Sequence, residues 1–157
     1  MIEVEITEEV MQQAGKKAAE MTMLNGSITN GTSNVLGCVG EILVQKYLKA
    51  SPSNTYDYDI VHAGRRIDVK TKRCDSEPRL HYDCSVAAHG SQQDCDEYVF
   101  VRILHNFKRA WILGSITKQD FYDKAKRWSR GDVDPDNNYT FRADCYNIPI
   151  SELEDVA

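Results

Sequence analysis

The residues of this chain whose types and spacing suit chemistry fall within sixteen positions, Asp57 to Lys72, DYDIVHAGRRIDVKTK. Ala63-Gly64 at the centre marks a β-hairpin, closed by a two-residue turn or by a four-residue loop about the same point. That pairing sets Ile60 opposite Ile67, Asp59 opposite Asp68 and Asp57 opposite Lys70. Like charges directly opposed destabilise a strand pair, and cross-strand Cβ atoms sit only ~5 Å apart. Facing carboxylates therefore favour a cation between them, and a divalent metal is the one expected.

Strand alternation puts Asp68, Lys70 and Lys72 on one face together with Asp59, and Ile67, Val69 and Thr71 on the other. A third carboxylate comes from upstream. Asn34 to Ala50 has apolar residues at helical spacing (Val35, Leu36, Val39, Ile42, Leu43, Tyr47), and Glu41 is the one charge between Asn34 and Gln45. Burying that charge unpaired is costly. Gly37 and Gly40 each cost about 1 kcal/mol relative to Ala inside a helix, so this surface is expected to approach a backbone or a ligand closely. Three carboxylates and an amine then converge, and hard oxygen donors with room for water and phosphate suit Mg²⁺ or Mn²⁺.

Other elements must position this set. Thr7 followed by Glu8 and Glu9 caps a first helix running to about Leu24, and Asn25 to Asn34 reads as a polar loop able to act as a flap, with Ser33 or Asn34 capping the second helix. Beyond the hairpin, strands are expected at Leu80–Ala87, at Glu97–Leu104 as a buried central strand, and at Ala110–Ile116. Thr117 with Asp120 caps a helix to about Trp128 with a Phe121, Ala125, Trp128 stripe. Tyr139–Ile148 is the expected last strand, and Ile150–Val156 at most a short helix.

The order of Glu41 on a helix, Asp59 on a strand and Asp68-Val69-Lys70 after a short hairpin resembles the PD-(D/E)xK nuclease superfamily, which includes small Holliday-junction resolvases and phage endonucleases. The resemblance covers Gly40 to Lys72, about a fifth of the chain, with Tyr58 where the motif has proline. It implies an α+β restriction-endonuclease-like fold: a mixed central sheet flanked by helices, an αβββαβ core and an extra N-terminal helix. The single domain would span 1–157, with 1–24 as a helical extension and 34–148 as the core. It implies a Mg²⁺- or Mn²⁺-dependent DNA endonuclease in which Asp59 and Asp68, with the Val69 carbonyl, bind the metal. Glu41 completes that shell, and Lys70 orients or deprotonates the attacking water. Arg65, Arg66, Lys72 and Arg73 become candidates for DNA-backbone contact, Gln45 a lesser candidate for orienting water, and a homodimer is implied if both strands are cut. The competing reading is a non-catalytic nucleic-acid or protein-binding module that keeps the fold.

Composition limits the remaining possibilities. A formal charge of −5 argues against a protein that coats nucleic acid non-specifically. A local basic face survives that test, because His62 to Tyr82 carries six basic residues against three acidic ones. No apolar run approaches the ~20 residues of a membrane helix. The acidic start, MIEVEITEE, lacks a secretory pattern, and five irregularly spaced cysteines suit reduced thiols, so a cytoplasmic location is expected, as for a phage-encoded enzyme acting in its host. Cys74, His81, Cys84, His89 and Cys95 have the residue types of a zinc site but no C-x-x-C pair, and Cys84 falls in an expected strand. Trp111, Trp128, Tyr56, Tyr58 and Tyr82 read as core or rim residues rather than stacking platforms for bases.

Overall fold

The computed structural model describes residues 1–25, 31–53, 55 and 57–156, the side chains of 22–25 and 31–34 excepted. In chain order the elements are β1 (Ile2–Glu5), α1 (Glu8–Asn25), α2 (Gly31–Leu48), β2 (Ser51–Pro52), β3 (Ile60–His62), β4 (Arg65–Cys74), β5 (Asp83–Ala87), β6 (Glu97–Leu104), β7 (Arg109–Thr117), α3 (Lys118–Lys124), β8 (Lys126–Trp128) and β9 (Cys145–Pro149). Short 3-10 turns cover Ala88–Gln92 and Ile150–Glu152. Six strands make a mixed sheet in the order β1-β7-β6-β4-β3-β2, in which β4 and β6 run parallel and every other pair is antiparallel. A second, antiparallel sheet has the order β5-β9-β8.

β6 is buried at every residue, as its unbroken apolar run requires, because both faces of the large sheet are covered. On one face α1 and α2 pack Val10, Ala14, Val39 and Leu43 against Ile67, Val69, Val99 and Ile112. On the other, β5, β9 and α3 bring Cys84, Val86, Ile148 and Phe121 against Tyr98, Phe100 and Leu113. Phe121 and Tyr122 join Tyr98 and Tyr146 in edge-to-face contacts, each worth about 0.5–1.5 kcal/mol beyond the area buried. Trp111 is buried in the second of these layers, and Trp128 is buried against Phe141, on which it stacks.

The structure is α+β with a mixed sheet, and several boundaries differ from expectation. The N-terminal residues do not form a simple extension: Ile2 and Val4 alternate with glutamates in β1, which pairs with β7, and α1 buries its apolar face in the main core. That period-2 pattern was visible but brief. Thr7 does cap α1, its Oγ1 accepting from Val10 N–H at 3.2 Å. α2 begins at Gly31, ahead of the expected Ser33 or Asn34 cap. Of the expected polar loop Asn25 to Asn34, Asn25 ends α1 and residues 31–34 open α2, while residues 26–30 lie outside the described residues, as does Tyr56. Thr117 caps α3 by accepting from Asp120 N–H, but the helix stops at Lys124, and Trp128 reaches its buried position on β8 instead. The expected last strand Tyr139–Ile148 is shorter and shifted, as β9 at Cys145–Pro149, and it pairs with β5 and β8 in the second sheet.

The hairpin takes the tighter of its two expected closures. Ala63 and Gly64 have φ of 50° and 75°, so both central residues are left-handed, and His62 pairs with Arg65. Such a turn matches the twist of its strands. The Ile60–Ile67 register follows.

Gly40 explains how α2 can lie so close to β4. A Cβ there would meet Thr71 Oγ1 at 1.9 Å, whereas one at Gly37 would meet nothing within 4 Å. Close approach therefore belongs to Gly40 alone of the two. Gly40→Ala gains about 1 kcal/mol of helix propensity but is expected to lose several times that to the clash and fall by at least about 2 kcal/mol in net stability. Urea unfolding should show Gly40→Ala with Thr71→Ala recovering much of the loss, because Thr71 Oγ1 is buried without a hydrogen-bond partner and is the atom in the way.

Candidate functional site

The register that aligns Ile60 with Ile67 is the last regular pair between β3 and β4. At Asp59 the strands part. Asp59 N–H donates to Ile67 O at 2.9 Å, and its carboxylate Oδ2 accepts from Val69 N–H at 2.8 Å, standing in for a backbone carbonyl of the ladder. Asp59 and Asp68 are thus not a ladder pair as expected, but their carboxyls are side-chain neighbours. Asp57 does not oppose Lys70. Its Oδ1 accepts from Asp94 N–H at 3.1 Å, because the chain has left the sheet before reaching that position.

Asp68 is buried, with 4% of its surface exposed. Its Oδ1 accepts from Gln93 Nε2 at 3.4 Å, and its Oδ2 lies 2.6 Å from Lys70 Nζ without an aligned hydrogen bond. Lys70 Nζ also donates to Gln93 Oε1 at 3.1 Å and sits 5.8 Å from the Tyr98 ring centre. Glu41, on α2, is paired with Lys17 of α1 at 2.5 Å. Both side chains of that pair are less than a quarter exposed.

These charges act on one another. Burial, then the charges of Glu41 and Asp68, push the Asp59 carboxyl up from 3.8 to about 8, so it holds a proton at neutral pH. Burial also raises Asp68, against the pull of Lys70. With Asp59 neutral, Glu41 and Asp68 are balanced by Lys17 and Lys70. Asp59, Asp68 and Lys70 therefore come together, and the charge of Glu41 acts on both acids from α2.

Two members were missed. Lys17 and Gln93 touch acids 24 and 25 residues away in sequence, beyond the range of local periodicity. Lys17 did leave a signal, a charge on the apolar stripe of α1 formed by Val10, Ala14 and Ala18. Gln93 left none; the Ala88–Gln92 turn delivers it, and its carbonyl accepts from Lys118 Nζ. Gln45, one turn beyond Glu41, is half-buried.

The expected basic surface is dispersed. Arg65 pairs with Glu97 at 2.6 Å, and Arg66 with Asp94 and Asp96, each at 2.8 Å. Arg66 also holds the Asp96 carboxyl well below its usual range. Arg73 donates to His105 O and lies over Phe107. At ~3.3 Å per residue, Arg65 and Arg73 are roughly 26 Å apart along β4. Lys72 points to the side of the second sheet, where burial and then Arg102 lower its pKa.

The donors fit a hard divalent cation by type. Buried Asp68 Oδ2 lacks an aligned donor, and Asp59 is neutral only through a proton that a cation would displace. Among the described residues, however, no three His, Cys, Asp or Glu side chains form a ready metal-binding group. Lys17 and Lys70 stand against Glu41 and Asp68, so entry of a cation requires Lys70 to give way. The same holds for the proposed zinc set: Cys84 and Cys95 are core residues and assemble no cluster with described histidines. No helix is long and apolar enough to cross a membrane. Compared with family models and with curated proteins, the chain matches none.

Two outcomes follow from the charge balance. Because Asp59 titrates near 8 when folded and near 3.8 in its ordinary state, the folded chain binds the extra proton, and stability falls as pH rises through that window. Asp59→Asn keeps an acceptor for Val69 N–H, so thermal melts should show it more stable than the parent at pH 8 by on the order of 2 kcal/mol, with a flatter pH profile. Lys17→Met leaves Glu41 buried and unpaired and should cost about 2 kcal/mol in denaturant unfolding, whereas Lys17→Met with Glu41→Gln should recover most of it.

Proposed function

We propose that the chain is a metal-dependent DNA endonuclease that hydrolyses phosphodiester bonds at the Asp59, Asp68, Lys70 and Glu41 cluster. The observation that carries this reading is the meeting of Asp59, Asp68 and Lys70 within reach of the Glu41 charge, with Asp59 raised to about 8 by burial and by the other two acids. Such clusters of strongly perturbed acids mark functional sites more often than structural ones.

Asp59, Asp68 and the Val69 carbonyl would hold Mg²⁺ or Mn²⁺, with Glu41 completing the shell. The bound ion lowers the pKa of water and offsets charge on the phosphate. Lys70 would orient the attacking water, its ammonium placed by Gln93 and Asp68. Gln93 fixes that amine through an amide that also grips Asp68, so the acid and the amine are positioned by one side chain. Lys17 holds the Glu41 carboxylate in an ion pair between the two helices. Arg65, Arg66 and Arg73 would reach DNA phosphates only by giving up their present partners, and Lys72 is the better placed backbone contact. A homodimer would let two such sites cut both strands.

Plasmid, linear duplex, single-stranded and four-way-junction DNA offered with Mg²⁺ or Mn²⁺ test this reading. Cleavage of at least one substrate is expected, and Asp68→Asn and Lys70→Ala should each slow it by about 10²-fold or more while circular dichroism stays unchanged. Equal cutting by both variants overturns the site. No cutting of any substrate, with no thermal stabilisation by millimolar Mg²⁺ or Mn²⁺, leaves the chain as a binding module whose lysines neutralise its acids.

A further inference from the structure

Lys72 and Arg102 are register partners on the parallel strands β4 and β6. Two cations are therefore directly opposed on one sheet face, an arrangement that destabilises a strand pair unless an anion lies between them. Arg102 is 7% exposed, and its one hydrogen bond is from Nη2 to the carbonyl of Asp83. No carboxylate stands within ion-pair distance of Arg102 or Lys72 among the described residues. The nearby acid Asp83 has its carboxyl engaged by the Asn147 side chain. Buried arginines are ordinarily paired, and an uncompensated buried charge is costly.

The two cations do not face a packed interior. Lys70, Lys72, Ser85, Phe100 and Arg102 line a small cleft between the large sheet and β5. Arg102 lies at its base and Lys72 at its exposed rim. Lys70 connects the cleft to the carboxylate cluster, since its ammonium meets Asp68 and its stem borders the cleft. Along β4, Lys72 is about 7 Å from Lys70, one step of the same strand face.

We infer that the Lys72–Arg102 cleft is a phosphate-binding site beside the carboxylate cluster. Guanidinium and ammonium groups flanking one opening suit a tetrahedral dianion or diester. In the endonuclease reading, on which this choice of source rests, the group is a backbone phosphate of the bound DNA strand next to the one at the carboxylates. Cleft and cluster then lie along a single strand track on β4, with the acids at one end and the cations at the other. A free phosphate or a phosphorylated small molecule offers the same chemistry.

The test is binding without catalysis. In EDTA, with a labelled duplex read by fluorescence anisotropy over a salt series, Lys72→Gln and Arg102→Met should each weaken binding about 10-fold and reduce the slope of log K against log salt by about one. Inorganic phosphate should raise the melting temperature of the unaltered protein and not of Arg102→Met. Arg102→Met should itself melt no lower than the parent in phosphate-free buffer, because it removes an unpaired buried charge. Lys72→Gln, at the exposed rim, keeps the test valid if Arg102→Met fails to fold. Phosphate stabilisation that depends on these residues, without any change in DNA affinity, supports the cleft with a small phosphorylated ligand as its source. Unchanged DNA affinity, salt slope and phosphate response in Lys72→Gln overturn the site. Cleavage assays run in parallel with Mg²⁺ judge the endonuclease reading separately, since an inactive protein that still binds phosphate through Arg102 keeps the cleft and loses the nuclease.

Discussion

Three acids placed within mutual reach in a half-dry site cannot all keep their charge unaided, and much of this structure is arranged around that constraint. Asp68 is sealed by the sheet, Asp59 is brought beside it where the hairpin leaves regular pairing, and Glu41 arrives from the helix packed above. Lys70 and Lys17 supply two positive charges, Gln93 ties the amine to the acid, and a proton on Asp59 removes the remaining excess. The site is close to neutral as it stands, yet it is held so by groups that can move or dissociate.

The backbone devices around the cluster serve the same end. A left-handed two-residue turn pins the register, so the acids reach the same neighbourhood without a long search for pairing. Gly40 lets α2 settle onto Thr71, which draws Glu41 toward β4. The parallel pairing of β4 with β6 places Tyr98, Phe100 and Arg102 beside Asp68, Lys70 and Lys72 in turn. Charge on this face therefore changes sign along the strand, from acid to cation, over four residues. Arg65 and Arg66, at the turn end, are spent on Glu97, Asp94 and Asp96, where they fasten the hairpin to the start of β6.

The second sheet decides which part of that face meets solvent. β5 and β9 lie over Phe100 and Leu113 through Cys84, Val86 and Ile148, and the cleft lies beside them with Lys72, Ser85 and Arg102 in its lining. With β9 paired to β5 and β8, the strand face that carries Lys70 and Lys72 becomes one wall of a cleft.

Much of the site was written into the sequence. Turn chemistry at Ala63-Gly64 determined the hairpin and the Ile60–Ile67 register, strand alternation separated Asp68 and Lys70 from Val69, and the lone charge in an apolar helix marked Glu41. The buried strand Glu97–Leu104 and the Thr7 and Thr117 caps were equally legible, because each depends on residues a few positions apart. Tertiary structure alone decided that Lys17 and Gln93 join the acids, that Arg65 and Arg66 are tied to the segment Asp94 to Glu97, that Lys72 faces Arg102, and that β9 leaves the main sheet. The reason is physical: periodicity and turn preference are set by near neighbours along the chain, whereas the partner of a charge is set by which distant segments the order of strands brings beside it.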